Sequence, residues 1–172
     1  MTAAGTWLDR LNRGSFTAVR VTDGSVVDDE ESSTTERVRP STELALHLAV
    51  YRARPDVNAV VHLHPQTAIL LDAMGERIRL ITTDHAAYVR SIAVVGFHPP
   101  GSEALATAVA EAVADGTDCV ILSHHGCSIL GSTVEWAHRR VVNVDEAARL
   151  TYQALALTGG IGPRTVPDCP PW

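Results

Sequence analysis

Hydrophobic residues recur along the chain with two different periods. Apolar side chains spaced three and four apart mark the buried face of a helix, whereas short apolar runs mark strands. The helical spacing predicts four helices: one opened by residues 40–43 and stopped by Pro55, one over 65–74, one that begins within 99–102, and a long final helix capped by Ser132. The last two carry the clearest stripes, which consist of Leu105, Val109 and Val113, and of Val134, Ala137, Val141, Val144, Ala148 and Leu155.

The segments between these helices supply the strands. Strands are predicted over residues 16–21, 58–64, 78–82, 91–97, 118–123 and 127–130. The polar, acidic residues 23–40 predict a hairpin with a mobile loop, and the proline-rich residues 159–172 predict an extended tail. Helices and strands that alternate along one chain predict a single α/β domain with a central sheet flanked by helices. The mix of hairpin and helix links leaves the strand order open.

Composition narrows the class of protein. With 172 residues, of which 45% are hydrophobic and 20% charged, the chain matches one globular domain. A net charge of −6 gives no reason to expect a nucleic acid or a membrane as partner. No apolar run approaches the roughly 18 residues that span a bilayer. Together these features favour a cytoplasmic protein. The cysteines are too few and too scattered for a disulfide framework or a cysteine metal site: Cys119, Cys127 and Cys169.

The absence of lysine bears on the chemistry. All 14 basic residues are arginine, and a Schiff-base mechanism needs a lysine amine. Carbon-acid chemistry in this chain must therefore stabilise a carbanion in another way, and a Lewis-acidic metal ion is the usual one.

Two histidines end the strand predicted over residues 58–64. His62 and His64 are two residues apart, so in an extended chain they point to the same side. Two imidazoles in this arrangement can bind one metal ion. The His-x-His pair alone is a weak signal, because structural histidines with ordinary hydrogen-bond partners give the same pattern.

Two further features strengthen the metal hypothesis. The apolar run over 120–122 leads into SerHisHisGly at 123–126, so a second buried strand ends in histidine, where a third ligand could arrive. Glu43 stands at a predicted helix start rather than in a solvated run of charges. Three histidines and a carboxylate that is not a ligand make a metal site with an open position and an acid/base.

Three segments resemble the class II aldolase and adducin family. They are ArgProSerThrGlu at 39–43, the segment 51–64 that ends in ValValHisLeuHis, and LeuSerHisHisGly at 122–126. The resemblance covers nearly the whole chain, and the predicted domain is residues 1–172. It implies a central, mostly antiparallel sheet flanked by helices, and a homo-oligomer that is commonly a tetramer.

The resemblance also implies a set of metal ligands. His62, His64 and His125 match the residues that hold a divalent ion, usually Zn²⁺, with Mn²⁺ or Co²⁺ as alternatives. His125 is chosen because the ligand of the family directly precedes the glycine, and His124 is interpreted as structural. The histidines outside these motifs are interpreted as surface or packing residues: His85, His98 and His138.

Catalytic and substrate-binding roles follow from the same resemblance. Glu43 matches the acid/base of the aldolases, and Ser41 and Thr42 match a pair at a helix start that holds the substrate phosphate. A helix N-terminus suits an anion on physical grounds as well, and Ser41 or Thr42 can also cap the helix. His47, one turn after Glu43, could orient that carboxylate or could be a core residue.

The chain departs from the family pattern at its start. Members normally begin with a helix and two strands that carry a Gly-Asn-x-Ser-x-Arg phosphate motif, followed by a Thr-Pro-Ser-Gly-like turn. MetThrAlaAlaGly at 1–5 resembles that turn, which adds Gly5 to the predicted phosphate-binding residues, and the N-terminal helix and first strands are absent. Gly5 in a frayed terminus is an equally good interpretation. The expectation is either a chain start set too late or a shortened member with a remodelled pocket.

The sequence therefore predicts a metal-dependent lyase of the aldolase type. Its substrate would be a small, phosphorylated ketose or hydroxy-carbonyl compound, in which a carbon–carbon bond is cleaved or formed through a metal-stabilised enediolate. Epimerase, dehydratase and decarboxylase chemistry on the same site are alternatives. A non-catalytic metal-binding or adducin-like interaction module is an alternative of another class.

Overall fold

A computed structural model of the chain describes residues 1–27 and 39–167. The helices in these ranges are α1 (Leu44–Ala53), α2 (Gln66–Ala73), α3 (Glu103–Val113) and α4 (Val134–Thr158). The strands are β1 (Ala59–Leu63), β2 (Ala93–Val95), β3 (Cys119–Leu122) and β4 (Gly126–Gly131). A short 3₁₀ turn, Arg13–Ser15, and a π-helical turn, His85–Val89, complete the regular structure of the described residues.

The four strands form one sheet in the order β1–β4–β3–β2. β4 runs antiparallel to both of its neighbours, and β2 runs parallel to β3. The prediction of an α/β domain with a mostly antiparallel central sheet is confirmed. Because β4 lies next to β1, the end of β1 that carries His62 lies beside the start of β4.

Helices cover both faces of the sheet. On one face α1 and α3 pack against side chains such as Val120 and Leu130. On the other face α2 and α4 pack against Ile121 and Ile129. Successive residues of a strand point to opposite faces, so each buried strand supplies both cores. Burial of one such aliphatic side chain contributes about 1.5–3 kcal/mol.

The stripe predicted for α3 is confirmed, and the start of α4 needs a correction. Ser102 caps α3 by accepting the Leu105 N–H at 3.1 Å, and the three stripe residues are buried. The cap of α4 is Thr133 rather than Ser132, and its hydroxyl accepts the Trp136 N–H at 3.2 Å. The stripe of α4 starts later than predicted. Ala137 lies against Gly131 at the end of β4, so Val134, one turn earlier, lies beyond the sheet and is 66% exposed.

The strand predicted over 78–82 is wrong. Arg79 N–H donates to Thr151 Oγ1 of α4 at 2.9 Å, and the Leu80 carbonyl accepts the Val166 N–H at 2.9 Å. The segment has no regular structure, and a helix side chain and residue Val166, rather than a neighbouring strand, satisfy these backbone groups.

Other boundaries also shift. The strand predicted over 16–21 is reduced to isolated bridges, Thr2 with Phe16 and Val19 with Val26. The hairpin lies earlier in the chain than the predicted residues 23–40, because its tight turn is between Arg20 and Ser25. The remainder of that loop, residues 28–38, and the last part of the tail, residues 168–172 with Cys169, lie outside the described residues. Within the described ranges, no helix combines the length and apolar character needed to cross a membrane.

Candidate metal centre

Strand pairing places the first two histidines. His62 lies directly opposite Ser128 of β4 in the antiparallel register. Val60 packs into the core beneath α1 and α3, and residues two apart share a face. His62 and His64 therefore project from the α1 side of the sheet, close to the helix start that carries Glu43.

The third ring comes from the turn between β3 and β4. His125 N–H donates to Leu122 O at 3.0 Å, which closes the turn, and Gly126 then begins β4. A Cβ at Gly126 would overlap Leu63 O and lie 2.7 Å from His64 Cδ2. Only glycine allows this turn to approach the end of β1, which brings His125 beside the other two rings.

His62, His64 and His125 form a compact cluster. One nitrogen of each ring lies within 4.8 Å of the others, and His62 Nε2 lies 3.1 Å from His64 Nε2. Two imidazoles on a tetrahedral zinc ion, with Zn–N bonds of about 2.0–2.1 Å, have nitrogens about 3.3 Å apart. The first pair already has nearly this spacing, and the ring centroid of His125 lies 4.9 Å from that of His62. His124 is exposed and lies outside the cluster, with its ring centroid 6.5 Å from that of Phe97.

The surroundings favour the neutral form of two of these rings. Burial, with a smaller contribution from the neighbouring imidazoles, lowers the pKa of His62 to about 3. Burial also lowers the pKa of His125, although the Glu43 carboxylate opposes that shift. Neutral imidazole is the form that binds a metal ion, so His62 and His125 need no deprotonation near pH 7.

Glu43 is the buried carboxylate of the site. It is the N-cap residue of α1, which begins at Leu44, and it is only 6% exposed. Its Oε1 lies 3.8 Å from His125 Nε2, and its Oε2 is buried without a hydrogen-bond partner. The ring of His47 makes no hydrogen bond to this carboxylate. Partial burial lowers the pKa of the half-buried His47 to about 4, so its ring is neutral near pH 7.

Ser128 is a site residue that sequence analysis missed. It is fully buried, and its Oγ lies 3.2 Å from His62 Nδ1. When Nδ1–H donates to this hydroxyl, the lone pair of the ring is on Nε2, the nitrogen that faces His64. Metal-binding histidines usually donate their second N–H in this way. The sequence contains one hint of this role, a polar serine within the apolar run CysSerIleLeu. The hydrogen-bond partner of that serine could not be predicted, because it depends on the register between β1 and β4.

The predicted phosphate-binding residues lie at and near the start of α1. Ser41 Oγ accepts the Glu43 N–H at 3.3 Å, and Thr42 is exposed. The first residues of the chain run beside this segment, with Thr2 O accepting the Ser41 N–H at 3.2 Å. Gly5 continues away from the helix start, because Ala4 already pairs with Arg39. The structure therefore brings Ser41 and Thr42 together beside Glu43, and it places Gly5 farther along the same segment.

The residues fit a divalent metal ion. Three imidazoles suit zinc and related ions. A buried carboxylate oxygen with no partner normally costs free energy, and a cation or a bound substrate beside it would remove that cost. Glu43 Oε2 is such an atom, next to the cluster.

Comparison with known proteins decides the family. The model of the class II aldolase and adducin N-terminal domain matches residues 1–152. The chain belongs to the class II aldolase and adducin family. The predicted resemblance is confirmed.

Relatives within the class II aldolase and adducin family are named as enzymes. An L-fuculose phosphate aldolase of Methanococcus maripaludis is 33% identical over 66% of this chain and 62% of its own length. A 3,4-dihydroxyphthalate decarboxylase of Terrabacter is 34% identical over 70% of this chain and 52% of its own length. The chain thus spans about half to three fifths of these relatives. Both names agree with the predicted class of enzyme.

A solved structure of the family has the same fold. YgbL from Klebsiella pneumoniae, whose assignment is left between aldolase, epimerase and decarboxylase, superposes with a TM-score of 0.76 and 27% identity. The match covers 88% of this chain and 71% of YgbL. The fold and the family are therefore shown, whereas the names of the relatives differ in the reaction.

Proposed function

We propose that the chain is a metal-dependent aldolase that acts on a small, phosphorylated ketose or related hydroxy-carbonyl compound. The observation that carries this proposal is the buried Glu43 carboxylate, which has one unpartnered oxygen and lies beside three clustered imidazoles. The relatives named L-fuculose phosphate aldolase support both the reaction and the class of substrate.

In this proposal His62, His64 and His125 hold a divalent ion, most simply Zn²⁺. The ion, when bound, supplies positive charge that stabilises negative charge developing on substrate oxygens. The Ser128 hydroxyl accepts a hydrogen bond from His62 Nδ1–H, which leaves the lone pair of the ring on Nε2 for the ion. The chain has no lysine, which agrees with a route that needs no Schiff base.

Glu43 is the proposed acid/base. Its free Oε2 can accept a proton from a substrate carbon or hydroxyl and return it in the reverse direction. Because the carboxylate is buried beside α1, bulk water does not compete for that oxygen. Its position at a helix start also places it next to the proposed phosphate site.

Ser41 and Thr42 are proposed to bind the substrate phosphate. Both precede α1, where free backbone N–H groups and the helix dipole favour an anion. A phosphate there would fix one end of the substrate and leave its carbonyl end near Glu43. A contribution of Gly5 and assembly into a homo-oligomer remain part of the proposal by resemblance alone.

Decarboxylation is the second candidate reaction. The relative of 34% identity is a decarboxylase named for 3,4-dihydroxyphthalate, a substrate without phosphate. The same cluster could stabilise the negative charge left when CO₂ departs. Epimerase and dehydratase chemistry would use the same residues.

The test combines metal analysis with turnover. Protein purified without chelator should hold about one divalent ion per chain, and His62→Ala or His125→Ala should lose it, whereas His138→Ala, an exposed histidine outside the cluster, should not. Turnover is then measured with sugar phosphates and with aromatic hydroxy acids. Equal metal content in all variants refutes the metal centre, and metal binding without any turnover favours the non-catalytic module.

A further inference from the structure

The turn that carries His125 is attached to a carboxylate from another element. Asp72 lies in the last turn of α2. Its Oδ1 accepts the Ser123 Oγ–H at 3.0 Å, and its Oδ2 accepts the His124 N–H at 3.0 Å. These donors are the two residues immediately before His125. Because each oxygen takes one donor, a single side chain fixes two consecutive residues of the turn.

The backbone of this turn is strained. His124 has a φ of +57°, a left-handed conformation that residues with a Cβ rarely adopt. This conformation turns the chain sharply enough for Gly126 to reach the end of β1. The hydrogen bond from His124 N–H to Asp72 is made in that conformation, so it stabilises the strained turn.

Helix stability does not account for Asp72. The C-terminal end of a helix carries partial negative charge, which disfavours a carboxylate there. Among the described residues no arginine or histidine forms a salt bridge with Asp72. The two hydrogen bonds to the turn are therefore the interactions that offset its unfavourable position.

Helix α2 connects both parts of the histidine cluster. It begins at Gln66, two residues after His64, and its last turn holds Asp72. A helix of eight residues is about 12 Å long and rigid. The start of α2 thus follows the His-x-His pair directly, and its end holds the turn of the third histidine.

We propose that Asp72 is a positioning residue of the metal centre, which holds His125 against His62 and His64 through Ser123 and His124. The inference rests on the proposed metal role of the three histidines. Asp72 does not touch the ion or the substrate in this account. Its effect is to fix the distance between the third ring and the first two before an ion arrives.

The test measures zinc affinity by competition with a chelator. In Asp72→Ala both acceptor oxygens are removed, so the Ser123 hydroxyl and the His124 N–H lose their partner. We expect zinc affinity to fall about 10–100-fold, as is usual when a residue that orients a metal ligand is lost. The matched control is Asp115→Ala. Asp115 accepts the Thr117 N–H at 2.9 Å, in a turn before the opposite end of β3, and its loss should leave zinc affinity unchanged.

A second variant separates positioning from general stability. Glycine adopts a positive φ without strain, so His124→Gly makes the turn less dependent on Asp72. The double variant Asp72→Ala/His124→Gly should recover part of the lost affinity. With Co²⁺ in place of zinc, the visible spectrum of Asp72→Ala should change and that of the double variant should return towards wild type.

Unchanged zinc affinity in Asp72→Ala, or an equal loss in Asp115→Ala, would overturn the inference. A wild-type protein that binds no zinc would refute the proposed function instead. Hydrogen exchange of the His124 amide in metal-free protein then decides the role of Asp72 in holding the turn. Faster exchange in Asp72→Ala would support that role, and unchanged exchange would overturn it.

Discussion

Glu43 Oε1 lies 3.8 Å from His125 Nε2, while the second oxygen of the same carboxylate is buried without a partner. Nearly all buried polar atoms in proteins have a hydrogen-bond partner, and exceptions often belong to functional sites. The relationship therefore connects the start of α1 to the turn of the third histidine, and it leaves one oxygen of Glu43 available to an ion or a substrate.

Replacing Glu43 by glutamine should separate chemistry from metal binding. Glutamine keeps the size of the side chain but removes the base, which typically supplies about 10²–10⁴-fold in rate. Zinc content should remain near wild type while kcat falls by that factor. Glu103→Gln, an exposed carboxylate in the first turn of α3, is the control and should leave kcat unchanged. Activity of Glu43→Gln within a few-fold of wild type would show that another group moves the proton.

Replacing Ser128 by alanine should weaken the metal centre without changing its ligands. His62 Nδ1 would lose its partner at 3.2 Å, and the ring would be free to change tautomer. We expect zinc affinity to fall about 10–100-fold. The control is Ser91→Ala, which removes a hydroxyl 3.4 Å from Thr117 Oγ1, away from the cluster. If both variants bind zinc as tightly as wild type, Ser128 has no role in orienting His62.

The metal-free protein should lose stability as the pH falls below 6.5. His47 has a pKa of about 4 in the folded protein because it is buried, whereas in the unfolded chain it protonates near 6.5. Between these values only the unfolded chain takes up the proton, so protonation favours unfolding. From pH 7 to pH 5 the free energy of unfolding should decrease by about 2 kcal/mol for this residue.

His62, whose folded pKa is about 3, acts in the same direction as His47. Urea unfolding of chelator-treated wild type and His47→Gln at the two pH values measures the effect. The variant should show a clearly smaller decrease. An identical decrease would mean that His47 is not neutral in the fold.

Alanine at Gly126 should disrupt the approach of the turn to β1. The new Cβ would overlap Leu63 O, and forced overpacking of this kind typically destabilises a protein by about 1–3 kcal/mol. Zinc binding should be lost with the displacement of His125. Gly96→Ala is the matched control, because no atom lies within 4 Å of its added Cβ. Normal zinc affinity and a normal melting temperature in Gly126→Ala would show that the turn can move without consequence.

The sequence predicted the parts of this site that depend on local pattern. The strand period places His62 and His64 on one face, and the apolar run before SerHisHisGly ends in the turn that carries His125. The contacts of Ser128 and Asp72 could not be predicted, because they depend on which strands pair and where a helix ends against a distant turn. β1 pairs with β4, the last strand along the chain, rather than with β2, the next one. No local pattern specifies that choice.

Dependence on a distant partner also explains why the strand predicted over residues 78–82 is wrong. Ile78 and Leu80 alternate with arginines, a pattern typical of a half-buried strand. An extended segment that packs on a helix has the same alternation. Only the partner of its backbone, Thr151 of α4 rather than another strand, distinguishes the two.

The pairing of β1 with β4 has a consequence for the order of events during protein synthesis. His125 is made 61 residues after His64, which at roughly 5–20 residues per second corresponds to about 3–12 s of translation. Until then, of the three cluster histidines, the growing chain carries only His62 and His64. β1 also has no neighbour on the side that β4 will occupy. The complete histidine cluster can form only after nearly three quarters of the 172 residues have been made. In the proposed function, binding of an ion by all three rings would therefore be a late step of biogenesis, and the nascent β1 edge must stay free of other strands until β4 arrives.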